Sequence, residues 1–294
     1  MVKKTGRRAL LIVNPNARNG QGFGGAMQKV LEEGSLSLSP HQPAKDETIS
    51  DVIMRERDHD LVIIGGGDGS LNAAARGLAE TGLPLAILPL GTANDFARTV
   101  GIPADPVEAA QQLLTYKAHE IDLGEVNGHL YFNVASIGFS AELASELSGA
   151  AKKKWGKFGY ALVAARLLMR SELFTAYLEH DGLTENIRTL QVSVGNGKFY
   201  GGGMVVEQNA AIDDGKLDFY SLEVDHWWHL LRLLPSLRRG TQSQWQDVRA
   251  FPVKEVIIRT KKPRAVNTDG ELTTWTPAHF KLHRRAIKVY MPGG

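Results

Sequence analysis

The chain has 294 residues, long for one compact body and comfortable for two, and its 43% hydrophobic and 22% charged residues match ordinary globular proteins. A formal charge of +2 is too small to mark a nucleic-acid binder, and the lack of cysteine excludes disulfides, thiolate metal sites and cysteine nucleophiles. No apolar run approaches the roughly 20 residues that cross a bilayer, so a soluble, cytoplasmic protein is expected.

The opening segment MVKKTGRRALLIVNPN is basic, but its apolar stretch, residues 9–13, stops at Asn14-Pro15. That is too short for a signal peptide and predicts a first strand. Further strands are predicted at 60–64 and 84–88, with a weaker one at 35–39, and helical patterns lie between them. Strands alternating with crossover helices specify a parallel sheet. The first, second and third of the stronger strands run into NPNARNG (14–20), GGGDGS (65–70) and PLGTAND (89–95). Ligands of open parallel sheets bind outside the carboxyl ends of the strands, so these three loops share one candidate binding edge.

Past Ile121 the texture changes. Strand patterns at 121–126, 129–136, 173–180, 186–196, 216–224, 253–260 and 286–292 are separated by turn pairs such as Asn127-Gly128 and Asp181-Gly182. An antiparallel sandwich is predicted, interrupted by helices over 156–170 and 226–239. The expected organisation is an α/β domain with a parallel sheet over 1–120 and a β-rich domain over 121–294.

In GGGDGS a buried strand meets four glycines and then a helix. Bare backbone lets N–H groups approach an anion closely, and the helix N-terminus adds positive potential, so a polyphosphate is the natural ligand. No Lys-Ser/Thr follows, so this is not a Walker A loop; Ser70 stands where the last glycine of a dinucleotide fingerprint would be. The structural alternative is a tight turn with Asp68 capping the helix. PLGTANDF fits a capping box with Thr92 as N-cap and Asp95 three residues on, which leaves Asn94 and the open Gly91 backbone to extend the anion site. In the first loop, Asn14 and its neighbours offer amides to a ribose or phosphate.

Together these three loops resemble the catalytic domain of the diacylglycerol kinase, sphingosine kinase and bacterial lipid kinase superfamily. The likeness continues through Asn196 to Met204, similar to the family's strand-loop, the segment from Ala211 to Leu217, similar to its metal loop, and Asp269-Gly270-Glu271, similar to its catalytic turn. Carried over residue by residue, the resemblance makes Gly66, Gly67, Asp68, Gly69, Ser70, Leu71, Asn72 and Thr92 nucleotide contacts, with Asn14, Ser39, Gly91, Asn94 and Asp95 completing the candidate set. It implies ATP as phosphate donor and Glu271 as general base, with Asp269 beside it in the turn. It also implies Mg2+ held by Asp214 and the carbonyls of Ala211 and Lys216, separate from the Mg2+ that travels with ATP. The chemistry is coherent, because a lipid hydroxyl is a poor nucleophile and a carboxylate must take its proton during in-line attack on the γ-phosphate.

The chain departs from the pattern at Ala73, where an acid is usual, at Glu207-Gln208, where a proline is common, and at Leu272, where proline often follows the turn. Lys216 serves as a ligand only through its carbonyl, with its ammonium directed away. For membrane contact the candidates are the helix over 226–239, which carries Trp227 and Trp228 and ends in Arg238-Arg239, and the lysines 152–154 and 157 around Trp155. The expected enzyme is an ATP-dependent lipid kinase acting on diacylglycerol, phosphatidylglycerol or a sphingoid-type acceptor, peripheral at the inner face of a membrane and binding no nucleic acid. A homodimer is left open. An NAD kinase-like small-molecule kinase and a non-catalytic lipid- or nucleotide-binding protein of the same fold are the alternatives.

Overall fold

The computed structural model describes residues 6–15, 17, 25–44, 46–147, 163, 166–197, 199–200, 204–205, 211–224 and 248–293. The helix expected over 226–239, the lysines around Trp155, and Glu207-Gln208 lie outside these residues. Of the helix expected over 156–170, residues 163 and 166–168 are described and are helical.

The chain divides into two compact units, residues 1–122 with 284–294, and residues 123–283. The first contains β1 (Arg7–Val13), α1 (Gly25–Glu33), β2 (Leu36–His41), α2 (Ile49–Arg55), β3 (Leu61–Gly66), α3 (Asp68–Thr81), β4 (Leu85–Pro89), α4 (Asp95–Thr99) and α5 (Pro106–Leu113). Strand β1 pairs in parallel with β2 and β3, and β3 with β4. The central strands β3 and β4 are buried along their whole length, as strands covered on both faces must be. Leu11, Leu31, Ile63, Leu88 and Leu113 form the core on one side of this sheet. Local chemistry sets the helix ends: Thr48 and Asp51 form a reciprocal capping box on α2, Asp105 caps α5, and Gly82, at φ 69°, ends α3 in the left-handed conformation.

The chain passes between the units inside β5 (Lys117–Val126). The second unit holds β6 (His129–Tyr131), β7 (Val134–Gly138), α6 (Phe139–Leu147), β8 (Phe174–His180), β9 (Leu183–Thr189), β10 (Gln191–Gly195), β11 (Phe199–Tyr200), β12 (Met204–Val205), β13 (Leu217–Leu222), β14 (Val248–Val253), β15 (Glu255–Thr260), β16 (Ala265–Thr268) and β17 (Glu271–Trp275). One antiparallel sheet runs β14-β13-β10-β7-β16-β17. A second layer, β15-β8-β9 with the start of β18 (Ala278–Met291), packs on it. Ile137, Val194, Phe219 and Val266 from the first layer share one core with Ala176, Leu178, Ile258 and Phe280 from the second. This is the expected sandwich. The patterns at 129–136 and 186–196 each resolve into two strands, β6 and β7, and β9 and β10.

Strand β18 is twice as long as its sequence pattern predicts. Ala278 and Phe280 are buried in the second unit, the exposed His283-Arg284-Arg285 run interrupts the apolar alternation, and Ile287 and Val289 are buried in the first. Val289 there lies opposite Leu85 of β4, in parallel. Residues 284–294 therefore belong with the nucleotide-type unit, whereas the sequence division assigns everything past 120 to the second domain. No helix among the described residues is long and apolar enough to cross a membrane.

Candidate active site

In the first unit the register aligns Val13 with Gly65 and Gly66 with Pro89, which brings the ends of β1, β3 and β4 together. The loops that follow are bonded to one another: Asn14 N–H donates to Gly65 O at 2.8 Å, Asn14 Nδ2 to Ser70 Oγ at 3.1 Å, and Leu90 N–H to Gly66 O at 3.0 Å. Gly67 and Gly91 face each other so closely that a Cβ built on Gly91 would lie 2.4 Å from Gly67 Cα. Only bare backbone fits there. Helix α3 begins at Asp68 with Gly67 as N-cap and no side-chain cap. Ser70 N–H, at 2.9 Å, and Leu71 N–H, at 3.2 Å, both donate to Gly67 O, while the amides of Asp68 and Gly69 have no acceptor within the helix, which leaves donors and positive potential at the glycine loop.

Neither capping pattern read from these loops forms. Asp68 does not cap its own helix: its carboxylate crosses to the second loop and accepts the N–H groups of Asp95 at 3.1 Å and Phe96 at 2.9 Å. Thr92 does not cap α4 either; Asn94 stands at the N-cap, in the left-handed conformation at φ 51°. The Asn94 side chain folds back over its own loop, accepting Gly91 N–H at 3.0 Å and donating to Pro89 O at 3.3 Å and Gly91 O at 3.2 Å. Asp95 is buried and paired with Arg98 at 2.7 Å. Gly66, Gly67, Asp68, Gly69, Ser70, Gly91, Asn94, Asp95 and Asn14 thus form one bonded cluster, with Thr92 exposed on its rim. Leu71 is buried and serves the core, Asn72 is half-buried one turn into α3, and Ser39 is exposed on the edge strand β2 opposite Leu10.

In the second unit Val134 pairs with Gly195, Gly195 with Asp218, and Thr268 with Ala135. The loops at 132–133, 196–197, 211–216 and 269–270 therefore all leave one end of one sheet. Asp269 and Gly270, at φ 49° and 99°, make a two-residue hairpin between β16 and β17, with Thr268 opposite Glu271. Positive φ at both positions is why the pair is Asp-Gly. The Asp269 carboxylate accepts three backbone amides, Phe132 at 2.7 Å, Asn133 at 2.9 Å and Val134 at 3.0 Å. Asn133 O in turn receives the N–H groups of Asn196 at 2.7 Å and Gly197 at 3.0 Å, and Asn196 Nδ2 donates to Phe132 O at 2.9 Å. By this geometry Asp269 ties the turn that carries Glu271 to the neighbouring strands.

Glu271 differs in every respect: it is exposed at the start of β17, and its carboxylate has no hydrogen-bond or ion-pair partner among the described residues. Behind the turn Tyr131 is fully buried, and burial first, then the negative charge of Asp269, holds its phenol far above the usual range. In the candidate metal loop, Asp214 Oδ1 accepts Lys216 N–H at 3.2 Å and Asp214 Oδ2 lies 3.5 Å from Lys216 Nζ. The ammonium points at the carboxylate rather than away from it. No group of three His, Cys, Asp or Glu side chains gathers among the described residues, so the donor set here is one carboxylate with backbone carbonyls such as those of Ala211 and Lys216. Such a set suits Mg2+, which keeps several of its own waters, only with the Lys216 ammonium turned off the carboxylate that it pairs with here.

Comparison with known proteins agrees with both halves. Residues 8–126 match the model of the diacylglycerol kinase catalytic domain, and residues 133–291 that of the YegS C-terminal NAD kinase beta sandwich-like domain. A Pseudomonas syringae pv. syringae protein named "Probable lipid kinase YegS-like" is 32% identical over 304 residues, covering 98% of this chain and 94% of its own. A Pseudomonas aeruginosa protein of the same name is 37% identical over 240 residues, covering 79% and 77%. The crystal structure of a diacylglycerol kinase from Bacillus anthracis str. Sterne superposes with a TM-score of 0.81 at 27% identity, covering 99% of each chain. The chain belongs to the family of diacylglycerol kinase-type lipid kinases and is, by that membership, a phosphotransferase with an alcohol group as acceptor.

Proposed function

We propose that the protein transfers the γ-phosphate of ATP to the hydroxyl of a membrane lipid, at the inner face of the membrane. The observation that carries this reading is the pairing of chemistries: a glycine cradle in the first unit and, in the second, a fixed Asp-Gly turn that presents the carboxylate of Glu271, unpartnered among the described residues. Bound ATP with its Mg2+ supplies the phosphoryl group and offsets its charge. Asn14, Gly66, Gly67, Gly69, Ser70, Asn72, Gly91 and Thr92 would hold the nucleotide through backbone amides and short polar side chains, while Asp68 and Asn94 keep the two loops at their separation. Glu271 would take the proton from the acceptor hydroxyl as it attacks, and Asp269 holds the turn that aims it. Asp214, with the carbonyls of Ala211 and Lys216, would hold a further Mg2+ that steadies the loop before β13.

Label transfer from γ-labelled ATP tests this. The intact protein should label at least one of diacylglycerol, phosphatidylglycerol and sphingosine in detergent micelles, and should not label NAD. Label in NAD alone, or nucleotide binding without label in any lipid, would overturn it.

A further inference from the structure

The described surface of the second unit carries one feature that the proposed reaction does not use. Trp275 ends β17, the edge strand of its sheet, and is 61% exposed. Its indole faces water and takes no part in the core clusters, which leaves an amphipathic ring available to a partner. Beside it is a cavity of about 320 Å³, lined by residues that include Gly138, Glu142, Lys262, Arg264 and Trp275.

The turn that carries the lysines is fixed against this strand. Thr276 N–H donates to Arg264 O at 2.9 Å, Arg264 N–H to Thr276 Oγ1 at 2.9 Å, and Thr260 Oγ1 to Lys262 O at 2.7 Å. Arg264 is spent locally: it pairs with Glu142 at 2.9 Å and lies over the Phe174 ring at 4.0 Å. That pair neutralises Glu142, the one acidic side chain lining the cavity among the described residues. Lys261 and Lys262 are exposed and have no ion-pair partner among the described residues. The patch is therefore an indole with two ammonium groups that no described residue compensates, on a turn bonded to the strand beside it.

We propose that Trp275 with Lys261 and Lys262 docks the protein on a bilayer surface rich in anionic phospholipid. The charge selects an anionic partner, and a lone large amphipathic ring suits the headgroup layer, where one end is apolar and the other wet. The inference rests on the lipid-kinase reading and deepens it, because Glu271 begins the strand that Trp275 ends, about 13 Å away. Docking through Trp275 would bring the base to headgroup depth, where an acceptor hydroxyl lies.

Co-sedimentation of the full chain with phosphatidylcholine vesicles, with and without phosphatidylglycerol, tests the proposal. The protein should sediment with the anionic vesicles only, and less as salt rises. Trp275→Ala should weaken that binding by about tenfold. Lys261→Glu with Lys262→Glu should weaken it by about thirtyfold. Thermal melting of the variants, and Trp275→Phe as a partial rescue, separate docking from folding. Label transfer to lipid in detergent micelles should be unchanged in all variants, so loss of the proposed reaction and loss of docking are read independently. Vesicle binding equal to the parent in both variants would overturn the proposal, as would sedimentation independent of anionic lipid. A Trp275-dependent dimer or acidic-protein complex in place of vesicle binding would also overturn it.

Discussion

The carboxylate of Asp68 accepts the N–H of Phe96 at 2.9 Å, joining the glycine loop to a helix that starts 27 residues later in the chain. With the Asp95 amide also bound, both oxygens of Asp68 are engaged in holding the two loops together. Asp68→Ala should therefore destabilise the protein by about 2 to 4 kcal/mol, the scale of two hydrogen bonds to a charged acceptor. It should also weaken ATP binding, and denaturant melts beside calorimetric ATP titration measure the two effects. Weakened ATP binding at unchanged stability would mean that Asp68 acts on the nucleotide and not on the loops.

Gly91→Ala isolates the cradle. The new methyl would meet Gly67 Cα at 2.4 Å and Asn94 Oδ1 at 2.6 Å, so the loops must part. ATP affinity should fall by at least about tenfold while the rest of the fold persists. Gly82→Ala is the matched comparison: at φ 69° with nothing within 4 Å, it should cost about 1 kcal/mol of stability and leave ATP affinity alone. Equal effects of the two changes on nucleotide binding would remove Gly91 from the site.

Asp269→Ala should behave as a folding variant. Three amides, those of Phe132, Asn133 and Val134, lose a charged acceptor, which costs about 3 to 5 kcal/mol. Stability and turnover should fall together, as seen in denaturant melts and lipid phosphorylation. Full stability with turnover abolished would instead give Asp269 a chemical role.

Tyr131 provides a pH-dependent signature. Its hydroxyl is buried without a hydrogen-bond partner among the described residues, and burial followed by the Asp269 charge raises its pKa well above the usual 10.0. A raised folded pKa gives stability that is complete below the unfolded value and lost as pH rises through the folded one. Melts should therefore show stability declining above about pH 10. Tyr131→Phe should flatten that decline and, near neutral pH, match or exceed the parent by up to about 1 kcal/mol. Strong destabilisation by Tyr131→Phe at neutral pH would contradict this.

Much of this is legible in the sequence, for a physical reason. Strands β1, β3 and β4 are short apolar runs that stop at Asn14, Gly66 and Pro89, and such runs alternating with helical patterns specify a parallel sheet, so the shared loop edge follows from pattern alone. The partners of polar side chains do not follow from it. Asp68, three residues into its glycine run, reads locally as a helix cap, yet its acceptors are engaged by amides brought near only by the parallel pairing of β3 and β4. Thr92 and Asp95 have capping-box spacing, but Asn94 in the left-handed conformation restarts the helix two residues later. Asp269 has the local signature of a hairpin turn and nothing there announces Phe132 and Asn133. Strand β18 is hidden because His283, Arg284 and Arg285 break the alternation where the chain passes from one unit to the other.

The central claim is that Glu271 accepts the proton of the lipid hydroxyl, and Glu271→Gln tests it most directly, since shape and exposure are kept while the ability to take a proton is lost. Steady-state lipid phosphorylation should show kcat lowered by about a hundredfold or more with the apparent affinity for ATP nearly unchanged, and Glu271→Asp should retain part of the activity. Because the side chain is exposed and unpartnered among the described residues, the melting temperature should not move. Near-parental kcat in Glu271→Gln, measured on the same lipid at saturating ATP, would contradict the account.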